Sequence, residues 1–353
     1  MNHRERVLKT LQFKETDSLP CDLMEGFIWR ELADYFQTEH GLDDPEAIRV
    51  FLDLDFRWVY VDFKDIIATD METMLRKHMT YSDTTIKREL ADVHTVAELQ
   101  SVYHNVFDPE SVVKPDYAVT RQRWPDHALV VLSRIPSLFM TACTDFGMEE
   151  CLVKMMIEPD VFEAYLDILQ KQCLDMIPYI LHDAKGLIDI CWIMDDVASQ
   201  RELIMNPELW RKYFKPRLAE QVRLIKEYCP YVIFHSCGAV HSILPDLIEI
   251  GINTHLVFQT SADNMDAGKI ANEFGGRLSF YGGIDIQKLL RLGSQSEVVD
   301  RVCSNASAFA ACGGYLVANS HHRIADIKGE NIIAMCREAH RIPGHASSKS
   351  GCT

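Results

Sequence analysis

The chain has 353 residues, 47% of them hydrophobic, and a formal net charge of −16. That much apolar material builds a large core and excludes a disordered chain. The negative balance argues against nucleic-acid and anionic-membrane partners, and no apolar run nears the ~20 residues that span a bilayer.

In chain order, residues 4–11 predict a helix, 19–24 a strand ending near Glu25, 27–36 a helix and 58–62 a strand. An insertion follows, in which 84–90 and 116–123 are expected to form a hairpin region, before a strand at 128–133. Helices then alternate with strands. Helices fall at 149–156 and 160–182, a strand at 187–194, a helix at 207–228, a strand at 231–235 and a helix at 243–250. A strand at 253–258, a helix at 266–274, a strand at 278–281, a helix at 296–312, a strand at 315–319 and a helix at 330–339 complete the series. Met155 and Met156 are expected in the core. Eight strands joined by helical crossovers predict an α/β fold, a (β/α)8 TIM barrel. It carries an N-terminal helical extension and an insertion after strand 2; a doubly wound sheet is the second choice. One domain covers 1–345, and 346–353 is a flexible tail. The charged first residues lack the apolar stretch of a secretory signal, and the 11 cysteines, without CxxC spacing, suit reduced thiols of a cytoplasmic protein.

In such a barrel the chemistry sits at the C-terminal ends of the strands. There, His235 and Cys237 are two residues apart, so in extended chain both face one side, and zinc takes both ligand types. The alternative is a core cysteine beside a hydrogen-bonded histidine. Cys312 precedes the last strand and His321 follows it. Only His321 lies at the same rim, which makes it the third metal candidate and Cys312 a packing thiol. Asp195 and Asp196 are adjacent, so one is expected to reach the site while the other caps a helix. Glu25 is a fourth ligand, a proton donor or a strand-end charge. Asp196 and Glu25 are the catalytic candidates; Asp195, Gln259, Asp285 and Asp62 are the substrate-binding ones. Asp285 has a competing role as a cap for the turn over 287–290.

Several segments carry a family resemblance: RERVLKTLQFKETDSLPCD at 4–22, MDDVASQRELIMNPELWRKYFKPRLAEQV at 194–222, FHSCGAVHSILPDLIEIGIN at 234–253, FGGRLSFYGGIDIQKLL at 274–290 and GGYLVANSHHRIADIKGENIIAMC at 313–336. Together they resemble the uroporphyrinogen-decarboxylase superfamily, which implies the (β/α)8 barrel. Its decarboxylases carry an arginine-rich segment of the type MRQAGR that pairs with substrate carboxylates. Residues 21–27 here contain no arginine and two acids, Asp22 and Glu25. The other large branch is the corrinoid-dependent methyltransferases, whose zinc motif is HxC followed by a late cysteine. His235 and Cys237 match its first two members, while His321 stands where the cysteine is expected. The resemblance therefore implies a zinc-dependent methyltransferase of O-demethylase type. It would move methyl from a methyl ether, such as a methoxylated aromatic, to the cobalt of a corrinoid (cobalamin) protein docked at the barrel mouth. The alternatives are a coenzyme M-like thiol methyltransferase with the same metal, a uroporphyrinogen decarboxylase-like carboxy-lyase, and a silent barrel acting as a scaffold. A homodimer is suggested by analogy alone.

Overall fold

The computed structural model describes residues 1–64, 88, 90–103, 107–321 and 326–345. The tail 346–353 and most of the segment 84–90 lie outside the described residues. Nine strands are described: β1 (Phe56–Tyr60), β2 (Asp62–Phe63), β3 (Val112–Val113), β4 (Ala128–Leu132), β5 (Ile190–Met194), β6 (Tyr231–His235), β7 (Thr254–Phe258), β8 (Ser279–Ile284) and β9 (Tyr315–Asn319). Seven of them form one parallel sheet in the order β1-β4-β5-β6-β7-β8-β9, with helices in the crossovers. The sheet curls into an α/β fold of TIM-barrel type.

The period-2 alternation of the strands sorts their side chains into two cores. Phe56, Trp58, Val130, Ile190, Trp192, Ile233, Tyr281, Leu316 and Ala318 pack together on the concave side. Val59, Leu129, Val131, Cys191, Ile193, Val232, Phe234 and Val317 pack outward against the helices. Both faces are buried, so these strands are nearly continuous apolar runs, as parallel sheets require.

Residues 19–24, expected as a full strand, contribute a single parallel bridge, Cys21 to Val317. They still touch both edges of the sheet. Val317 N donates to Pro20 O at 2.9 Å, Asp22 N donates to Val317 O at 3.0 Å, and Asp55 N donates to Cys21 O at 3.0 Å. A longer ladder is blocked because Pro20 has no N–H and Cys21 N donates to the Asp55 carboxylate instead, at 2.8 Å.

The helix His3–Leu11, capped by Asn2 Oδ1, seals the opposite end of the sheet. Val7 and Leu11 enter the concave core, and Arg4 Nε donates to Asp189 just before β5 at 2.9 Å. Beside it lies fully buried Asp55. This carboxylate accepts from Arg6 Nη1 at 2.5 Å and Cys21 N at 2.8 Å, and meets His3 Nδ1 at 3.0 Å and His340 Nε2 at 3.3 Å.

Three further expectations change. The helix expected over 207–228 is two, Pro207–Tyr213 and Lys215–Ile225, because Pro216 has no N–H to continue the ladder across Phe214. In the insertion, Asp62–Phe63 pairs with Val112–Val113, while Tyr117–Arg123 is a helix because Asp116 caps it, accepting from Val119 N at 3.0 Å. Met155 is core, but Met156, one residue on, points to solvent. Eight of the ten described cysteines are buried, Cys312 among them. No helix among the described residues is long and apolar enough to cross a membrane.

Candidate functional site

β6 carries Tyr231, Ile233 and His235 on its concave side, and Cys237 continues the same set just past the strand end. His235 Nε2 lies 3.8 Å from Cys237 Sγ and 3.7 Å from Asp196 Oδ1. One donor atom from each of the three residues falls within 4.8 Å of the others. The loop after β5 delivers Asp196, which is fixed because Oδ1 also accepts Cys237 N at 2.7 Å. The other ring nitrogen of His235 is taken: Nδ1 meets Glu25 Oε1 at 2.6 Å. Glu25 is buried in a turn at φ 56°, and its carbonyl accepts from Tyr60 OH at 2.6 Å.

Burial alone would lower the His235 pKa; the Glu25 carboxylate outweighs that and raises it. Burial, and then the charge of Asp196, push the Cys237 thiol well above its ordinary value.

The two adjacent aspartates part company. Asp195 is buried and points away from the cluster, accepting from Phe139 N at 2.8 Å and Met140 N at 3.0 Å at the start of the helix Leu138–Phe146. Burial pushes its carboxyl up to about 7 against those amides. Gln259 Oε1 accepts Gly238 N at 2.8 Å and Gln200 Nε2 at 2.9 Å, so it braces the loop that carries Cys237. It reaches there because a bulge at Val257, with φ 62°, re-aims the end of β7. Asp285 caps the turn after β8, accepting from Lys288 N and Leu289 N. Asp62 is half-buried in β2, 3.6 Å from Arg134 Nη2. His321 follows β9, its carbonyl accepting Asn319 Nδ2 at 2.7 Å, and it is not a member of the close cluster.

The roles of Asn319, Trp58 and Tyr281 escaped sequence reasoning. Asn319 is buried, and its Oδ1 accepts Met24 N at 3.0 Å, which fixes the turn holding Glu25. Trp58 Nε1 and Tyr281 OH each donate to Asp22 Oδ2 at 2.7 Å. Burial pushes the Asp22 carboxyl up to about 6 against these two bonds. A polar residue closing the apolar run of β9 was the available signal for Asn319.

Gly238 sits at φ 86°, and a β-carbon there would lie 2.2 Å from Ser199 O. Gly238→Ala is expected to cost about 3 kcal/mol or more, from strain plus overpacking, in urea unfolding. A loss under about 1 kcal/mol would show that the loop is not fixed as described.

A family model described as Uroporphyrinogen decarboxylase (URO-D) matches residues 117–342. Among solved structures, a methyltransferase from Methanosarcina mazei is similar with a TM-score of 0.64 and 18% identity, over 96% of this chain and 98% of that one. At that identity the likeness speaks for the fold. No curated protein matches the chain by sequence.

Proposed function

Because the chain belongs to the uroporphyrinogen decarboxylase (URO-D) family, we propose that it uses this barrel as a zinc-dependent methyltransferase, moving methyl from a small methyl ether to the cobalt of a corrinoid protein. Residues 19–24 are read as the eighth stave of a (β/α)8 barrel. The carrying observation is the meeting of His235 Nε2, Cys237 Sγ and Asp196 Oδ1 at the rim.

Imidazole, thiolate and carboxylate are the three ligand types that zinc accepts, so this donor set fits the ion. His235, Cys237 and Asp196 would hold it, with His321 the candidate for a further position. Bound zinc supplies a Lewis acid that polarises the ether oxygen as its bond to methyl breaks. Glu25 acts through His235: by holding Nδ1 it presents Nε2 to the site, the arrangement common around metal-bound histidine. Gln259 and Asp196 fix the backbone at Gly238 and Cys237. Asp22 and Glu25 line the region where decarboxylases place arginines, which disfavours a polycarboxylate substrate.

Elemental analysis of protein purified without chelator is expected to give about one zinc per chain. Methyl transfer from 2-methoxyphenol to cob(I)alamin tests the activity. Zinc-free protein that still transfers methyl would overturn the reading. Glu25→Gln is expected to weaken zinc binding ~10–100-fold in chelator competition. An unchanged affinity would remove Glu25 from its positioning role.

A further inference from the structure

On one flank β9 keeps its ladder to the end. Ile284 of β8 is in register with Asn319, and Ser320 N donates to Ile284 O at 2.8 Å. On the other flank the pairing with residues 19–24 changes character. Val317 N donates to Pro20 O and Asp22 N donates to Val317 O. In that parallel register the next donor, Met24 N, would reach the backbone carbonyl of residue 319. It reaches the side chain instead: Asn319 Oδ1 accepts Met24 N at 3.0 Å. The other end of the same amide, Nδ2, donates to His321 O at 2.7 Å. Asn319 is fully buried, and the orientation of its amide is dictated, because an N–H needs the oxygen and a carbonyl needs the NH2. A side chain thus replaces a ladder rung at the rim, with Glu25 on one lip of the seam and His321 on the other. Glu25 sits at φ 56°, a conformation that a residue other than glycine keeps only where its surroundings impose it. Two bonds impose it here, the one from Met24 N to Asn319 and the one from Tyr60 OH to Glu25 O.

We infer that Asn319 is a positioning residue for the cluster at the rim: one buried amide sets the Glu25 turn, and through it the Nδ1 side of His235, together with the backbone of His321. Its consequence for zinc rests on the function proposed above; the bridge itself does not. Without the amide, Met24 N–H and His321 O each lose their buried partner, a cost of about 1–3 kcal/mol for each group left unpaired. Glu25 is then held by the Tyr60 bond alone. Its carboxylate no longer fixes the imidazole, and His235 Nε2 loses its aim toward Cys237 Sγ and Asp196 Oδ1.

The test is made on the full chain with Asn319→Ala. Hydrogen–deuterium exchange of the metal-free protein reads the bridge, and chelator competition for zinc reads its consequence. Exchange across residues 22–26 is expected to be faster in the variant. Zinc affinity is expected to fall ~10–100-fold, the scale for loss of a partner behind the ligand shell. Asn319→Ala combined with Glu25→Gln is expected to lose less zinc affinity than the product of the two single losses, because both changes act on His235 through one turn. A residue that merely stabilised the fold would give losses that multiply. Should Asn319→Ala not fold, Asn319→Ser, whose hydroxyl serves one partner at most, carries the same three expectations. Native exchange across 22–26 in the folded variant overturns the inference, as do losses that multiply. Zinc bound by the native chain and held as tightly by Asn319→Ala keeps the functional reading and removes Asn319 from the site. A native chain that binds no zinc, with faster exchange in the variant, sinks the functional reading and leaves the bridge standing.

Discussion

Asp55→Ala is expected to destabilise the chain by about 3 kcal/mol, the cost of removing the shared acceptor from a buried polar network. Asp55 is fully buried, and removing it leaves the Cys21 N–H without its acceptor and Arg6 with Asp17 as its carboxylate partner. It also unties residues 19–24 from the edge of β1, since Asp55 N donates to Cys21 O beside the side-chain contact. Burial alone would raise the Asp55 pKa, but its hydrogen bonds to His3 and His340 and the charge of Arg6 outweigh that and hold it at about 2. A depressed carboxyl stabilises the fold above its unfolded value, near ~3.9, and loses that stabilisation as pH falls through the folded value. The native chain should therefore lose about 2 kcal/mol between roughly pH 4 and pH 2 from this group. Asp55→Ala should lack that component. Urea titrations at several pH values measure both effects. A variant within about 1 kcal/mol of the native chain at pH 7 would refute the account.

His235→Ala is expected to abolish stoichiometric zinc and to reduce methyl transfer beyond the ~100-fold ceiling anticipated for loss of an outer partner. The substitution removes a ligand and leaves the Glu25 carboxylate buried without its imidazole. His235→Gln and a thermal-unfolding control separate metal loss from misfolding. Full zinc content in a folded His235→Ala protein would end the proposal that the Asp196–His235–Cys237 cluster binds metal.

The pairing of His235 with Cys237 was legible because side chains alternate along a strand, and β6 ends where its apolar run ends. The split of Asp195 from Asp196 was legible for the same reason. That Asp196 lies beside Cys237 was not, since it depends on the path of the loop after β5 and on the bond from Cys237 N. Nor was the bracing by Gln259, which needs the bulge at Val257. The break at Phe214 could have been read from Pro216. The buried triad of Asp22, Trp58 and Tyr281 joins residues up to 259 positions apart, and no local pattern announces such a meeting.

The bonds that tie residues 20–22 to Val317 join parts of the chain that are far apart in sequence. A ribosome delivers the first partner long before the second, so residues 20–22 must wait unpaired until Val317 has emerged. Glu25 shares that wait. The histidine it steadies is thus oriented only after Asn319 has emerged, and ion capture is expected to follow slow, non-local assembly.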